Sequence, residues 1–203
     1  MSNHDYEEVV SPNRYFDRNF NVEAVKILPG EYFVTGRDMV LVTVLGSCVA
    51  ACIRDKVSGI GGMNHFMLPD SNNEGGNPVG MAGRYGSYAM ELMINQLLKS
   101  GARRCNLEAK VFGGGNVLRG FTVANVGQRN SEFVLDYLHN ENIELKAQDL
   151  LDIYPRKVYY FPKTGRTLVK QLRSVHNDTI VQREQQYITR IRSSGVQGDV
   201  ELF

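Results

Sequence analysis

Residues 39–68 read MVLVTVLGSCVAACIRDKVSGIGGMNHFML, and this stretch decides the fold. It contains three apolar runs, which cover residues 39–45, 49–54 and 60–68. Short apolar runs rich in β-branched residues are typical of strands that are buried on both faces. Because the connections between the runs are short, we expect a three-strand segment whose pairing is mostly antiparallel.

The rest of the chain predicts further strands and helices around this segment. We expect short strands within 22–35, a strand at 107–112 and a hairpin formed by 157–161 and 166–172. Residues 70–80 have the composition of a loop, and Asn130 is the expected N-cap of a second helix. The helical periodicity covers residues 84–100, 131–139 and 179–193.

These elements indicate one α/β domain with a layered, mixed or antiparallel sheet and flanking helices. We place a polar N-terminal extension at 1–22, the domain at 23–175, and a C-terminal helix and tail at 176–203. The chain has 203 residues, which is enough for a single domain with a substantial core.

Charge and cysteine content exclude several classes of protein. The 23 basic and 22 acidic side chains leave a net charge of +1, so no strong basic field favours nucleic acid. Three cysteines cannot all pair, which argues against a disulfide scaffold and for a reducing, cytoplasmic location. Neither a signal peptide nor an apolar run of about 20 residues is present, so membrane insertion is not expected.

Gly46-Ser47-Cys48 lies between two strands, where a tight turn could direct the N–H groups of Ser47 and Cys48 into an oxyanion hole. Folding the second and third runs about residue 57 brings Cys48 and His65 to the same end of a hairpin. An imidazole can activate a thiol, and a hydroxyl such as that of Thr43 can orient the imidazole. A buried cysteine that only packs is the competing interpretation.

A zinc site is a second alternative, since Cys48, Cys52 and His65 are all possible ligands. On a strand, however, Cys48 and Cys52 would be roughly 13 Å apart, too far for one metal ion. We therefore expect no metal, a packing role for Cys52, and a half-buried position at a strand edge for Cys105. The remaining histidines are expected at the surface: His4, His139 and His176.

Gly113-Gly114-Gly115-Asn116 follows a predicted strand but lacks the spacing of a phosphate-binding loop. Two interpretations remain open. The first is a backbone that passes close to either the catalytic cleft or a substrate chain, where Asn116 could contribute its amide, and the second is a plain tight turn.

Several ordered motifs resemble the CheD family of chemoreceptor glutamine deamidases, over roughly residues 25–175. The main ones are LGSCVAAC at 45–52, GGMNHFMLP at 61–69, KVFGGGN at 110–116 and FPKTG at 161–165. Shorter matches occur at RYG (84–86), AMEL (89–92), GQRN (127–130) and PRKV (155–158).

The resemblance implies an α/β domain whose active site is similar to that of toxin-type Cys–His deamidases. It implies a cysteine nucleophile at Cys48, a base at His65 and a third member at Thr43. The implied reaction converts specific receptor glutamines to glutamate through a thioester, which regulates chemotaxis, and the family also hydrolyses receptor glutamyl methyl esters. No cofactor is implied.

The implied partners are the helical cytoplasmic bundles of methyl-accepting receptors and, in some relatives, a CheC-type phosphatase. Basic side chains could help the chain to dock on a receptor: Arg84, Arg129, Arg156, Lys157 and Lys163. Two other functions stay open from the residues, a non-catalytic adaptor with this fold and a cysteine hydrolase that cleaves peptide bonds or small amides.

Overall fold

Two five-stranded sheets and three α-helices make up the part of the chain that the computed structural model describes, residues 13–69, 78–117, 126–172 and 178–193. The expected α/β class is confirmed. The helices are α1 Pro78–Lys99, α2 Val126–Asn140 and α3 Asp178–Ser193. The strands are β1 Arg14–Asp17, β2 Val22–Lys26, β3 Tyr32–Thr35, β4 Val40–Leu45, β5 Val49–Asp55, β6 Gly61–Asn64, β7 Leu107–Gly113, β8 Glu144–Leu150, β9 Arg156–Phe161 and β10 Arg166–Gln171.

The first sheet has the order β1-β2-β4-β9-β10 and the second has the order β3-β6-β5-β7-β8. Within them β2–β4 and β7–β8 are parallel, and the other pairs are antiparallel. The predicted hairpins β5–β6 and β9–β10 are both confirmed.

The expected three-strand segment is wrong in one respect, because β4 and β5 belong to different sheets. The chain leaves the first sheet at Leu45 and enters the second at Val49. Both strands are apolar on both faces, so each needs a layer on either side, and stacking the two sheets supplies one of those layers. Residues 46–48 form the corner between the sheets, which we call the 46–48 corner.

Two apolar cores lie on opposite faces of β5. Val49, Ala51 and Ile53 point to the core beneath α1 and α2. Cys48, Ala50 and Cys52 point to the core between the two sheets, where α3 also contributes Tyr187. The alternation of side chains along a strand therefore places both buried cysteines in the inter-sheet core.

Several element boundaries differ from the expectation. Part of the proposed N-terminal extension forms β1, which pairs with β2 through residues 14–17. The helix α1 begins at Pro78, inside the expected loop, and α2 begins at Val126, so Asn130 lies within the helix instead of capping it. The sequence does not predict strand β8, because ELKAQDL has no apolar alternation. In the structure this strand is mostly exposed.

Three sequence-based expectations concern single residues. Cys52 is buried as expected, and His139 is exposed. The expectation for Cys105 is wrong, because this residue is exposed in the short 3-10 turn Arg104–Asn106 that precedes β7. His4, His176, the tail 194–203 and most of the expected loop 70–80 lie outside the described residues.

None of the helical segments in the described ranges combines the length and apolarity that crossing a bilayer requires.

Candidate active site

The 46–48 corner is fixed by hydrogen bonds to all three of its carbonyl groups. Gly115 N–H donates to the carbonyl of residue 46 at 2.7 Å, and Gly114 N–H donates to that of residue 48 at 2.8 Å. The amide of Asn130, from α2, donates to the carbonyl of residue 47 at 2.8 Å. These hydrogen bonds fix the carbonyl groups on one side of the corner. The N–H groups of Gly46 and Cys48 point the other way, toward the inter-sheet core and α3.

The glycines that follow β7 allow this close approach. A Cβ atom at Gly113 would lie 2.1 Å from the Cys48 carbonyl oxygen, and φ is +113° there. Gly114 has φ of +65° and is equally crowded by the side chain of Ser131. Of the two interpretations left open for the glycine run, a close backbone approach is the one that these contacts match, and the neighbour is the 46–48 corner.

The same segment borders a cavity of about 240 Å³ beside the corner. Its lining includes Ser47, Gly114, Gly115 and Asn116, while Gly113 is not part of it. The exposed side chain of Asn116 is therefore at the cavity and not at the buried thiol. The role of this cavity as a substrate cleft stays a prediction.

The tautomer of His65 follows from its contacts with Thr43. The Thr43 hydroxyl donates its one proton to the carbonyl of Ile27 at 2.8 Å. Its oxygen therefore accepts from His65 Nδ1, which lies 2.9 Å away. The proton of the neutral imidazole is thus on Nδ1, and Nε2 carries a lone pair that no described residue engages.

Cys48 and His65 are neighbours on one face of the second sheet. Val49 and Phe66 exchange two backbone hydrogen bonds of 2.9 Å, and this register extends the β5–β6 ladder. His65 consequently lies opposite Ala50, with Cys48 and Cys52 as its two diagonal neighbours on the same face. Diagonal neighbours in an antiparallel pair are about 7 Å apart, within reach of an imidazole.

Burial keeps both groups neutral in this structure. It raises the pKa of the Cys48 thiol well above its ordinary value, and the charge and hydrogen bonding of Glu184 raise it further. Burial also lowers the pKa of His65 to about 4, although the Ile27 carbonyl opposes this shift. At neutral pH the thiol is therefore protonated, and the imidazole is neutral and can accept a proton.

Glu184 of α3 lies against the corner, and sequence reasoning missed it. Its Oε1 accepts hydrogen bonds from the N–H groups of Gly46 at 3.1 Å and Cys48 at 3.2 Å. Its Oε2 accepts from the Ser47 hydroxyl at 2.7 Å. We expected the N–H groups of Ser47 and Cys48 to converge, whereas the pair that converges here is Gly46 and Cys48, with the Ser47 side chain beside them.

The arrangement combines a thiol, an oriented imidazole and two backbone donors that meet on a carboxyl oxygen. Such a set can activate a nucleophile and stabilise an oxyanion on a carboxyl-derived group.

The comparisons with known proteins agree with this chemistry. The model of the family described as CheD chemotactic sensory transduction matches residues 67–171. This chain belongs to the CheD family.

The chain is 64% identical over 197 residues to a protein of Thiobacillus denitrificans named probable chemoreceptor glutamine deamidase CheD, covering 97% of this chain and 98% of that one. A protein of the same name from Methylobacillus flagellatus is 63% identical over 198 residues, covering 97% and 98%. A Shewanella oneidensis relative, probable chemoreceptor glutamine deamidase CheD 1, is 61% identical over 192 residues, covering 95% and 93%. The expected family is thus confirmed.

In this CheD-family chain, Asn130 has a role other than the capping role that the sequence predicts. It is fully buried, and its side chain links the corner to the segment after β6, since its oxygen accepts from Leu68 N–H at 2.9 Å.

The signal for Glu184 was present in the sequence. It lies on the apolar stripe of α3, and a carboxylate in such a position needs donors from elsewhere in the fold.

One of the expected docking cations is not at the surface. Arg156 is 1% exposed, and its guanidinium pairs with Asp149 at 2.9 Å and also donates to the carbonyls of Asp149 and Leu151. Its role is to join the end of β8 to the first sheet. Of the other four, Arg84 and Lys163 are exposed, and Arg129 and Lys157 are half-buried.

The alternative of a zinc site finds no geometric support. Residues 49–55 form a strand, so Cys52 is separated from Cys48 as the strand geometry predicts. Within the described ranges, no three His, Cys, Asp or Glu side chains are grouped so that they could hold a metal ion.

Proposed function

We propose that this chain is a protein-glutamine glutaminase that hydrolyses glutamine side-chain amides of chemotaxis receptors through a Cys48 thioester. The observation that carries the proposal is the position of Cys48, beside two backbone N–H groups that meet on one carboxyl oxygen and on the same sheet face as His65. The names of the relatives, chemoreceptor glutamine deamidases, support the substrate class.

In the first half of the reaction the thiol proton passes to His65 Nε2, and Cys48 Sγ attacks the glutamine Cδ. The amide oxygen becomes an oxyanion that accepts hydrogen bonds from the N–H groups of Gly46 and Cys48. Each such donor is worth about 3 kcal/mol in the transition state. His65 then returns its proton to the nitrogen, the C–N bond breaks, and ammonia leaves a thioester on Cys48.

In the second half His65 removes a proton from water, and the resulting hydroxide attacks the thioester carbonyl. The C–S bond breaks, Cys48 recovers a proton from His65, and glutamate is released. Thr43 acts through His65, because its oxygen holds the Nδ1–H and so keeps Nε2 free for each transfer. The steps need no cofactor.

The same thioester would form from a glutamyl methyl ester, with methanol leaving in place of ammonia. The oxyanion donors contact the carbonyl oxygen, which an amide and an ester share, so the proposal includes receptor methyl esters as substrates. The product of either reaction adds a negative charge to a receptor helix, and this change can bias a signalling equilibrium. Regulation of chemotaxis, a cytoplasmic location and binding of a CheC-type phosphatase are further parts of the proposal.

The test is deamidation of a purified receptor cytoplasmic fragment, with the modified glutamines mapped by mass spectrometry. Wild type should convert specific glutamines, and Cys48→Ala should reduce the rate by at least about 1,000-fold. Cys105→Ala is the matched control, because this cysteine is exposed and distant from the corner, and it should retain wild-type activity. Ammonia release measures the same reaction independently.

The outcomes separate the alternatives. Equal background conversion by wild type and Cys48→Ala would contradict the enzyme and favour an adaptor. Cleavage of the fragment's backbone, in place of side-chain conversion, would favour a peptide hydrolase.

A further inference from the structure

The helix α3 carries a carboxylate in the middle of its apolar face. Glu184 is 3% exposed, and it lies between the buried side chains of Ile180 and Tyr187. Ile188 and Ile191 extend the same face and pack against the inter-sheet core. A carboxylate in such surroundings is costly unless donors satisfy it.

Among the described residues, its donors come from the 46–48 corner: two backbone N–H groups, the Ser47 hydroxyl and the Cys48 thiol. The absence of a side chain at Gly46 makes room for the approach, since a Cβ there would lie 2.7 Å from the Glu184 oxygen. A glutamate side chain is also the chemical product of glutamine hydrolysis. The structure thus presents a glutamate, on a helix, at the position where the proposed reaction would leave one.

The contacts on either side of Glu184 hold α3 in this position. The Tyr187 hydroxyl is 2.5 Å from that of Tyr85 on α1, and the Tyr187 ring packs against Gly30. Toward the N-terminus of α3, Ile180 borders a small cavity lined by Ile27 and His65. Residues 27–30, His65, Tyr85 and the 46–48 corner therefore form one surface, which we call the α3-binding surface.

We propose that α3 is an intramolecular product mimic, in which Glu184 occupies the site of the reacting glutamine side chain and α3 covers the surface on which a substrate helix docks. This inference rests on the proposed function. The substrate helix must replace α3, and it carries its glutamine on an apolar face. By analogy with α3, the apolar residues stand four positions before and three, four and seven after the glutamine.

While Glu184 occupies the site, external substrate is blocked for two reasons. The donors of the corner are occupied, so no substrate oxygen can reach them. The carboxylate also stabilises the protonated Cys48 thiol, as the raised pKa indicates. Displacing α3 removes both obstacles at once.

The decisive variant is Glu184→Gln in the full chain, because it converts the product mimic into an intramolecular substrate. Cys48 Sγ attacks Cδ of the new side chain, ammonia leaves, and water hydrolyses the thioester to restore glutamate. Peptide mapping by mass spectrometry should find residue 184 converted to glutamate at a rate independent of protein concentration. The double variant with Cys48→Ala should retain the amide.

Two neighbouring residues are an internal control within the same helix. Gln185 and Gln186 are exposed and point away from the corner, so they should remain amides while residue 184 of the Glu184→Gln variant is converted. Equal conversion of all three would indicate non-specific chemistry and would overturn the proposal.

A second variant, Glu184→Ala, measures the block on external substrate. With the receptor fragment its kcat/KM should exceed the wild-type value by about 10-fold, since the occupied state no longer competes. If Glu184→Ala deamidates the fragment no faster than wild type and the amide introduced by Glu184→Gln persists, the product mimic is refuted while the proposed function stands. If neither the fragment nor that introduced amide is converted by any variant with Cys48 intact, the proposed function fails, and this inference fails with it.

Discussion

Cys48 and Cys52 lie on the same face of one strand, and both are buried in the core between the sheets. Burial raises the pKa of each thiol. Their neighbours are what differ. Cys52 pairs with Met63 in the ladder and packs among apolar groups, whereas Cys48 belongs to the 46–48 corner and lies against Glu184. Burial alone therefore does not identify a reactive thiol, and the polar groups around it do.

The largest effect should come from exchanging sulfur for oxygen at the two positions. Cys48→Ser should lower the deamidation rate by at least about 1,000-fold with little loss of stability, because a hydroxyl is a far weaker nucleophile. Cys52→Ser should keep the activity of each folded molecule but lose about 1–3 kcal/mol of stability, because it buries a hydroxyl in an apolar site.

Deamidation rates and urea unfolding of both variants test whether Cys48→Ser loses activity and Cys52→Ser loses stability. A Cys52→Ser enzyme that is as stable as wild type but inactive would contradict the comparison, because it would place Cys52 in the chemistry.

The pH dependence of stability should separate the polar site from the apolar one. Burial lowers the folded-state pKa of His65 to about 4 from 6.5, so between these values the unfolded chain binds more protons than the folded protein. Stability therefore rises with pH in this window, and acidification from pH 7 to pH 4 should cost about 3 kcal/mol through His65 alone.

Urea unfolding across this range measures the effect, with His65→Gln as the control that cannot titrate. The wild-type and His65→Gln curves should converge as the pH falls. Parallel curves would mean that His65 is not a buried neutral imidazole.

The smallest of the three effects concerns Thr43, which acts on the site only through His65. Thr43→Val removes the oxygen that accepts from Nδ1, so kcat should fall by roughly 10- to 100-fold while KM changes little. Thr43→Ser keeps the oxygen and should recover most of the rate. If the serine variant is as slow as the valine variant, the methyl group and not the hydroxyl supports the site.

Local patterns in the sequence predicted the strands of the core and the terminal helix. The continuous apolar character of β4 and β5 and the stripe of α3 are properties of a single element, and they are visible without its neighbours. The assignment of β4 and β5 to different sheets depends on how two layers stack, and no pattern within either strand encodes it. Strand β8 is exposed and its sequence has no apolar alternation, so its strand conformation depends on its pairing with β7.

The candidate site also has one part that local sequence predicts and another part that only the folded chain brings together. Cys48 and His65 could be placed together by counting residues about one turn, because a hairpin is a local structure. Glu184 reaches the corner across 136 residues of sequence, so only the folded chain brings it there. The sequence predicts a local capping role for Asn130, whereas its hydrogen-bond partners lie at Ser47 and Leu68.

The hydrogen bonds behind the 46–48 corner have a consequence for the energy of reorganisation. Each of the three carbonyls is engaged from the rear, by Gly114, Gly115 or Asn130, so the peptide planes between them cannot rotate freely. The forward N–H dipoles are aligned when the chain folds, before any ligand arrives. Whichever oxygen enters, carboxylate or oxyanion, meets dipoles that do not have to turn, whereas water would have to reorient around a newly formed charge.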